Sequence, residues 1–266
     1  MPEHDPKSTV VYVVGFAATV CLVCAVLVAG AAVGLKPMQD RNARVDRLTR
    51  VLEVAGLVND GEQLGPDEVL ARFEQNIEAR VVELESGAYN EDIDPSNFVQ
   101  RRAASDPATS KKAPANAAKV MRLPDNALVY HVKRDGALDK IILPIQGYGL
   151  WSVMYGFIAL ERDADTVAGI TFYEHGETPG LGGEIENRGW QAKWQGRKVY
   201  GSKGDVRLEV IKGSAPPAPD APYRVDGLSG ATITSRGVTN TLEFWLGEAA
   251  FGPYLDRLKK REGATS

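Results

Sequence analysis

The sequence predicts an α+β chain, with one N-terminal transmembrane helix followed by a soluble, mainly antiparallel sheet domain flanked by helices. Three observations predict it. No charged residue stands between Ser8 and Leu35. Short apolar or alternating runs, separated by Gly, Asp and Pro turns, recur from Ala127 to Lys212. Apolar residues at helical spacing bracket those runs on both sides.

The first element is the run VVYVVGFAATVCLVCAVLVAGAAVGL, residues 10–35, longer than the roughly 20 residues that cross a bilayer. A signal peptide would have a shorter apolar core, about 7 to 15 residues, and a more basic lead than MPEHDPK in the tail 1–9. The run is therefore read as an uncleaved anchor in the lipid bilayer. Cys21 and Cys24 share one helix face, but a structural metal site takes about four ligands and no second cluster exists in the sequence. Gly30 and Gly34 have the G-x-x-x-G spacing that admits a neighbouring membrane helix. Lys36, Arg41, Arg44, Arg47 and Arg50 follow the span, and only Lys7 and the amino terminus precede it. The positive-inside rule would leave the large domain in the cytoplasm.

Residues 36–119 read as a helical segment and linker. Val45, Leu48, Val51 and Leu52, then Val69, Leu70, Phe73, Ile77 and Val81, predict two amphipathic helices, the second opening at Pro66 and Asp67. From Asp94 to Lys119 the chain turns polar and small, and SDPATSKKAPANAAK reads as a flexible connector where a domain boundary could fall. Residues 120–262 then form the sheet domain. Its strands are predicted at ALVYHVK, DKIILPIQ, WSVMYGFIAL, TVAGITFYE and VRLEVIK. Val238, Leu242, Trp245 and Leu246 close the chain with a helical face, and Tyr254, Leu255 and Leu258 continue it.

Composition excludes some function classes. A net charge of -4 at pH 7 gives no basic footprint for nucleic acid. Two glycine-rich loops, EHGETPGLGGE and DGLSGATITS, can bring backbone close to a ligand, yet neither has Walker or dinucleotide-fold spacing. A serine hydrolase needs a base. Of the three histidines, His4 lies in the tail, His131 reads as a sheet histidine, and only His175 sits in a glycine loop, with no G-x-S-x-G elbow to serve. The sequence also lacks an iron–sulfur ligand set, and its one span carries no charge for an ion path. By itself the crowd of hydroxyls in DGLSGATITS reads as a helix-capping turn.

The stretch D-G-L-S-G-A-T, Asp226–Thr232, resembles the motif at which a flavin transferase joins FMN through its phosphate to a threonine. With HGETPGLGGE, GYGLWSVMYGF and EFWLGEAAFGPYL, and with the single leading span, it is similar to the NqrC family, the C subunits of the sodium-translocating NADH:quinone reductases. The G subunit of Rnf-type ferredoxin:NAD oxidoreductases shares the flavin domain and the motif. The tryptophan-bearing GLWS and FWLG runs favour the first family. A membrane-anchored assembly or binding module, holding flavin reversibly or not at all, is the rival from another class.

The resemblance implies covalent FMN on Thr232, the threonine closing S-G-A-T. It implies contacts from Leu150, Trp151, Glu177, Thr178 and Leu181, with Ser229, Gly230, Ala231, Ile233 and Thr234 around the acceptor. A phosphate there would meet the positive end of the following helix, with room left by Gly227 and Gly230. The implied partners are the other membrane and peripheral subunits of one redox complex and a flavin transferase. The chain itself would bind neither NADH nor quinone, and would pass electrons towards quinone in a complex that exports sodium. The implied location is a bacterial inner membrane with the domain periplasmic, against the charge count. Trp190, Trp194 and Trp245 are read as structural. Asp226 serves either transferase recognition or a turn hydrogen bond.

Overall fold

Nothing between Lys36 and Ala55 other than Pro37 breaks a helix, and the helix does not stop where the apolar run does. In the computed structural model, which describes residues 6–59 and 61–263, helix α1 (Pro6–Ala55) runs on through Pro37. Val45, Leu48, Val51 and Leu52 thus belong to α1, not to a separate helix. Gly56 ends it with φ 74°, Gly56 N–H reaching Glu53 O at 3.0 Å and Leu57 N–H reaching Leu52 O at 2.9 Å, the paired bonds of a left-handed helix stop. The described residues divide into two compact units, one ending at Asp46 and one beginning at Arg47. In the first, α1 exposes its apolar side chains, among them free Cys21 and Cys24, and is long and apolar enough to cross a membrane. His4 lies outside the described residues.

The second unit holds the remaining elements: α2 (Pro66–Asn76), β1 (Ile77–Glu83), α3 (Gln100–Ser105), β2 (Ser110–Lys112), β3 (Arg122–Pro124), β4 (Asn126–Arg134), β5 (Ala137–Tyr148), β6 (Val153–Glu161), β7 (Val167–Glu174), α4 (Arg188–Gln191), β8 (Glu209–Val210), β9 (Arg224–Val225), α5 (Thr232–Leu246) and α6 (Gly252–Gly263). Five strands form one antiparallel sheet in the order β1-β4-β5-β6-β7. The α+β expectation holds.

Three local expectations do not. Ile77 and Val81 stand in β1, opposite Val132 and Leu128 of β4, rather than in a helix. A spacing of four keeps two side chains on one face of a strand as well as of a helix, and the β-branched residues between Ile77 and Val82 prefer the pleat. The supposed connector is tied down: Ser110–Lys112 pairs with β3, and Asn116 accepts from Val120 N–H and donates to Val120 O, each at 2.9 Å. Of VRLEVIK only Glu209 and Val210 are strand, pairing parallel to β9.

Helix α5 covers the sheet through fully buried Val238, Leu242, Trp245 and Leu246. Trp245 Nε1–H donates to Gln146 O at 2.7 Å, pinning α5 to β5. Trp190 and Trp194 are also buried, edge to face at 5.3 Å. The last turn of α1 is part of this unit: Val51 and Leu52 are fully buried, and Lys140 Nζ donates to Ala55 O at 2.9 Å.

His131 is a buried sheet histidine, with Nε2 2.6 Å from the Tyr254 hydroxyl. Burial first, then repulsion by Arg80 and Lys133 against an attraction to Glu78, lowers its pKa from 6.5 to about 4. The unfolded chain therefore binds a proton that the native domain refuses. Stability from this site is complete above pH 6.5 and is lost as the pH falls from 6.5 towards 4, by on the order of 3 kcal/mol. Urea titrations across that window are expected to show a shallower pH slope for His131→Gln than for the parent; equal slopes would remove His131 from the account.

Candidate functional site

The two glycine-rich loops and the loop after β5 meet at the first turn of α5. Tyr148 ends β5, and Gly149 to Ser152 turn the chain into β6. Glu177 follows β7 and points its carboxylate back under that turn, where it is 5% exposed. Leu150 N–H donates to both of its oxygens at 3.1 Å, Trp151 N–H to Oε1 at 2.9 Å and Ser152 N–H to Oε1 at 3.3 Å. The Thr234 hydroxyl donates to Oε2 at 2.5 Å. Burial pushes the Glu177 carboxyl up, but these hydrogen bonds outweigh it and hold the pKa below the ordinary value. The group is a fixed anion.

Close packing explains the glycines. A Cβ on Gly149 would lie 2.6 Å from Glu177 Oε1, and one on Gly182 would lie 2.5 Å from Thr234 Oγ1. On the other side, a Cβ on Gly237 of α5 would lie 2.6 Å from Tyr148 O. Ser152 Oγ accepts from Gly176 N–H at 2.6 Å, and Tyr148 Oη–H donates to Trp151 O at 3.0 Å. Sequence reasoning passed over Tyr148, Ser152 and Gly237. The spacing G-Y-G ahead of LWS was the available signal for the tight turn.

The hydroxyls are not helix caps. Ala231 is the N-cap residue of α5 and no side chain caps the helix, so orphan N–H groups remain at its entrance. Ser235 Oγ accepts from Leu228 N–H at 3.1 Å, closing the turn before the helix. Thr234 is buried and given to Glu177. Thr232, first residue of α5, is exposed, and no hydrogen bond to its hydroxyl is found among the described residues. Ser229 and Gly230 lie beside it, Gly230 exposed, and Ala231 is buried. Gly230 has φ 70°, and a Cβ there would lie 2.9 Å from Leu181 Cδ2.

Four large apolar side chains face solvent around this entrance: Leu150 at 39%, Trp151 at 64%, Leu181 at 44% and Ile233 at 56% exposed. A core-packing role for Trp151 is excluded by that exposure. Thr178 is exposed on the same loop as Leu181, its carbonyl accepting from Leu181 and Gly183 N–H. Asp226 takes up turn bonds, accepting from Ala215 N–H at 2.9 Å and Lys193 Nζ at 2.5 Å, while its carbonyl accepts from Trp190 Nε1–H. Burial raises its pKa, but Lys193 and the Ala215 N–H outweigh it and the value falls. His175 Nδ1 accepts from Glu177 N–H at 3.1 Å, and Nε2 lies 3.0 Å from Glu186 Oε1. It braces the loop and faces no nucleophile. Among the described residues no cluster suits a metal ion.

An uncapped helix start with a free hydroxyl fits a phosphoester, and a rim of exposed apolar side chains fits a flat aromatic ring. The residues present thus suit FMN. The FMN-binding domain family matches residues 149–247, the span that holds Glu177, Thr232 and the four exposed apolar residues. The C subunit of the Na(+)-translocating NADH-quinone reductase of Pseudomonas aeruginosa is 48% identical, over 92% of this chain and 95% of that protein. Its namesake from Vibrio vulnificus is 44% identical, over 97% of this chain and 98% of that one. The crystal structure of Shewanella oneidensis NqrC superposes with a TM-score of 0.75 at 32% identity, covering 84% of this chain and 99% of that one.

Proposed function

This chain belongs to the NqrC family, the C subunits of Na(+)-translocating NADH-quinone reductases, and on that premise we propose that it is the electron-carrying flavoprotein of such a complex, with FMN held as a phosphoester on Thr232. The observation that carries the reading is a free threonine hydroxyl at an uncapped helix start, on which loops bearing the exposed Leu150, Trp151 and Leu181 converge, with exposed Ile233 next in the chain. When bound, FMN supplies one- and two-electron chemistry, and the residues of this chain supply place and surroundings.

Thr232 presents its hydroxyl to solvent, where a separate transferase reaches it, so the domain needs no base of its own. The orphan N–H groups at the start of α5 favour the phosphate charge. Covering about 200 Å² of the apolar rim contributes roughly 5 kcal/mol towards holding the ring on the domain. The covalent tether keeps the effective concentration near millimolar, so dissociation is quickly reversed. The other members of the complex are the donors and acceptors, and sodium export is a property of that assembly.

The domain lies, on this reading, on the periplasmic side of a bacterial inner membrane. The arginines after the span oppose it, and assembly with multi-helix partners supplies the orientation. A reporter fused after Ser266 is expected to be exported; a cytoplasmic reporter would overturn the location and the route of modification. The primary test is peptide mass spectrometry on protein made with its flavin transferase. An FMN adduct on the Thr232 peptide is expected, and an unmodified peptide would return the chain to the assembly-module reading.

A further inference from the structure

The carboxylate of Glu177 reaches two segments far apart in sequence. Its backbone donors Leu150, Trp151 and Ser152 belong to the turn that displays the exposed Leu150 and Trp151, and its hydroxyl donor Thr234 belongs to the first turn of α5. No space is left between these groups, since a side chain on Gly149 or Gly182 would drive into the Glu177 carboxylate or the Thr234 hydroxyl. With 5% exposure and both oxygens occupied, Glu177 has no free face for a cofactor.

We propose that Glu177 is a positioning residue, acting through Thr234 to lock the acceptor turn that carries Thr232 against the Leu150–Trp151 turn. This rests on the flavin reading above and replaces the expected flavin contact of Glu177 with an indirect role. It also gives Thr234 a role in specificity. Two threonines stand two residues apart in T-I-T, and the buried bond to Glu177 withdraws the second hydroxyl, leaving Thr232 as the reactive one. Losing the Thr234 hydroxyl leaves the buried Oε2 of Glu177 with only the Leu150 N–H that it shares with Oε1, a loss that corresponds to about a tenfold change in a local opening equilibrium.

The test uses the full-length chain, purified once without and once with its flavin transferase, as the parent, Thr234→Val, Thr234→Ser and Gly149→Ala. Without the transferase, hydrogen exchange is read at the amides of Leu150, Trp151 and Ser152. Thr234→Val is expected to speed it about tenfold while β4 keeps parental protection, and Thr234→Ser is expected to restore it. Gly149→Ala, which crowds the same carboxylate from the opposite side, is expected to loosen the amides from Thr232 to Ser235. With the transferase, loading of Thr232 is expected to slow about tenfold in Thr234→Val and to recover in Thr234→Ser. Parental exchange and parental loading in both Thr234→Val and Gly149→Ala would overturn the clamp. A parent chain that never accepts FMN would overturn the functional reading alone, because the exchange comparison is made on flavin-free protein.

Discussion

Thr232→Val is expected to abolish covalent FMN completely while leaving the fold intact. The valine keeps the branched shape and removes the one oxygen through which a phosphoester can form. Thr232 is exposed at the first position of α5, with no side-chain hydrogen bond to lose among the described residues, so the change in stability stays within about 0.5 kcal/mol. Denaturing gels scanned for flavin fluorescence read the adduct, and thermal melts read the fold. In the assembled complex the same substitution is expected to stop NADH-driven quinone reduction and sodium transport. A variant complex that retained both at parental rates would refute the relay role of this chain, even with the adduct gone.

The second large effect is expected at Gly237. It lies in α5 against the end of β5, where any Cβ comes within 2.6 Å of Tyr148 O and 3.0 Å of Gly149 Cα. Helix propensity favours replacing it, by up to about 1 kcal/mol. The clash is with backbone, which no rotamer relieves, so Gly237→Val is expected to cost on the order of 3 kcal/mol and lower Tm by about 10 °C. Because Tyr148 also holds Trp151 O, flavin loading is expected to fall with it. Arg236→Ala, one residue earlier and exposed, is the matched control. A Gly237→Val protein that melts with the parent would mean that α5 and the turn separate at little cost.

The D-G-L-S-G-A-T stretch stood out in sequence because it is contiguous, and the helix after it announces itself through Val238, Leu242 and Trp245. The long apolar helix was legible for the same reason. Ile77 and Val81 misled because a four-residue interval satisfies two periodicities, and only pairing with Val132 and Leu128 decides between them. Residues 110–112 misled because Ser and Lys carry little strand propensity, and their pairing is imposed by β3. That Trp151 lies at the surface could not be read from its residue type, since aromatic residues serve cores and surfaces alike. The bond between Glu177 and Thr234 spans 57 positions, and no spacing rule reaches that far. Asp226, undecided in the sequence, has turn contacts that account for its carboxylate.

The three loops that frame Thr232 come from residues 148–152, 174–184 and 226–235, and only the packed sheet brings them together. An unfolded chain carries the same motif but lacks the buried bond that ties Thr234 to Glu177. On the proposed reading, attachment of the flavin to Thr232 follows the closure of the core that brings these loops together. A flavin so attached would serve as an inspection stamp, marking a chain whose core had closed before it entered the complex.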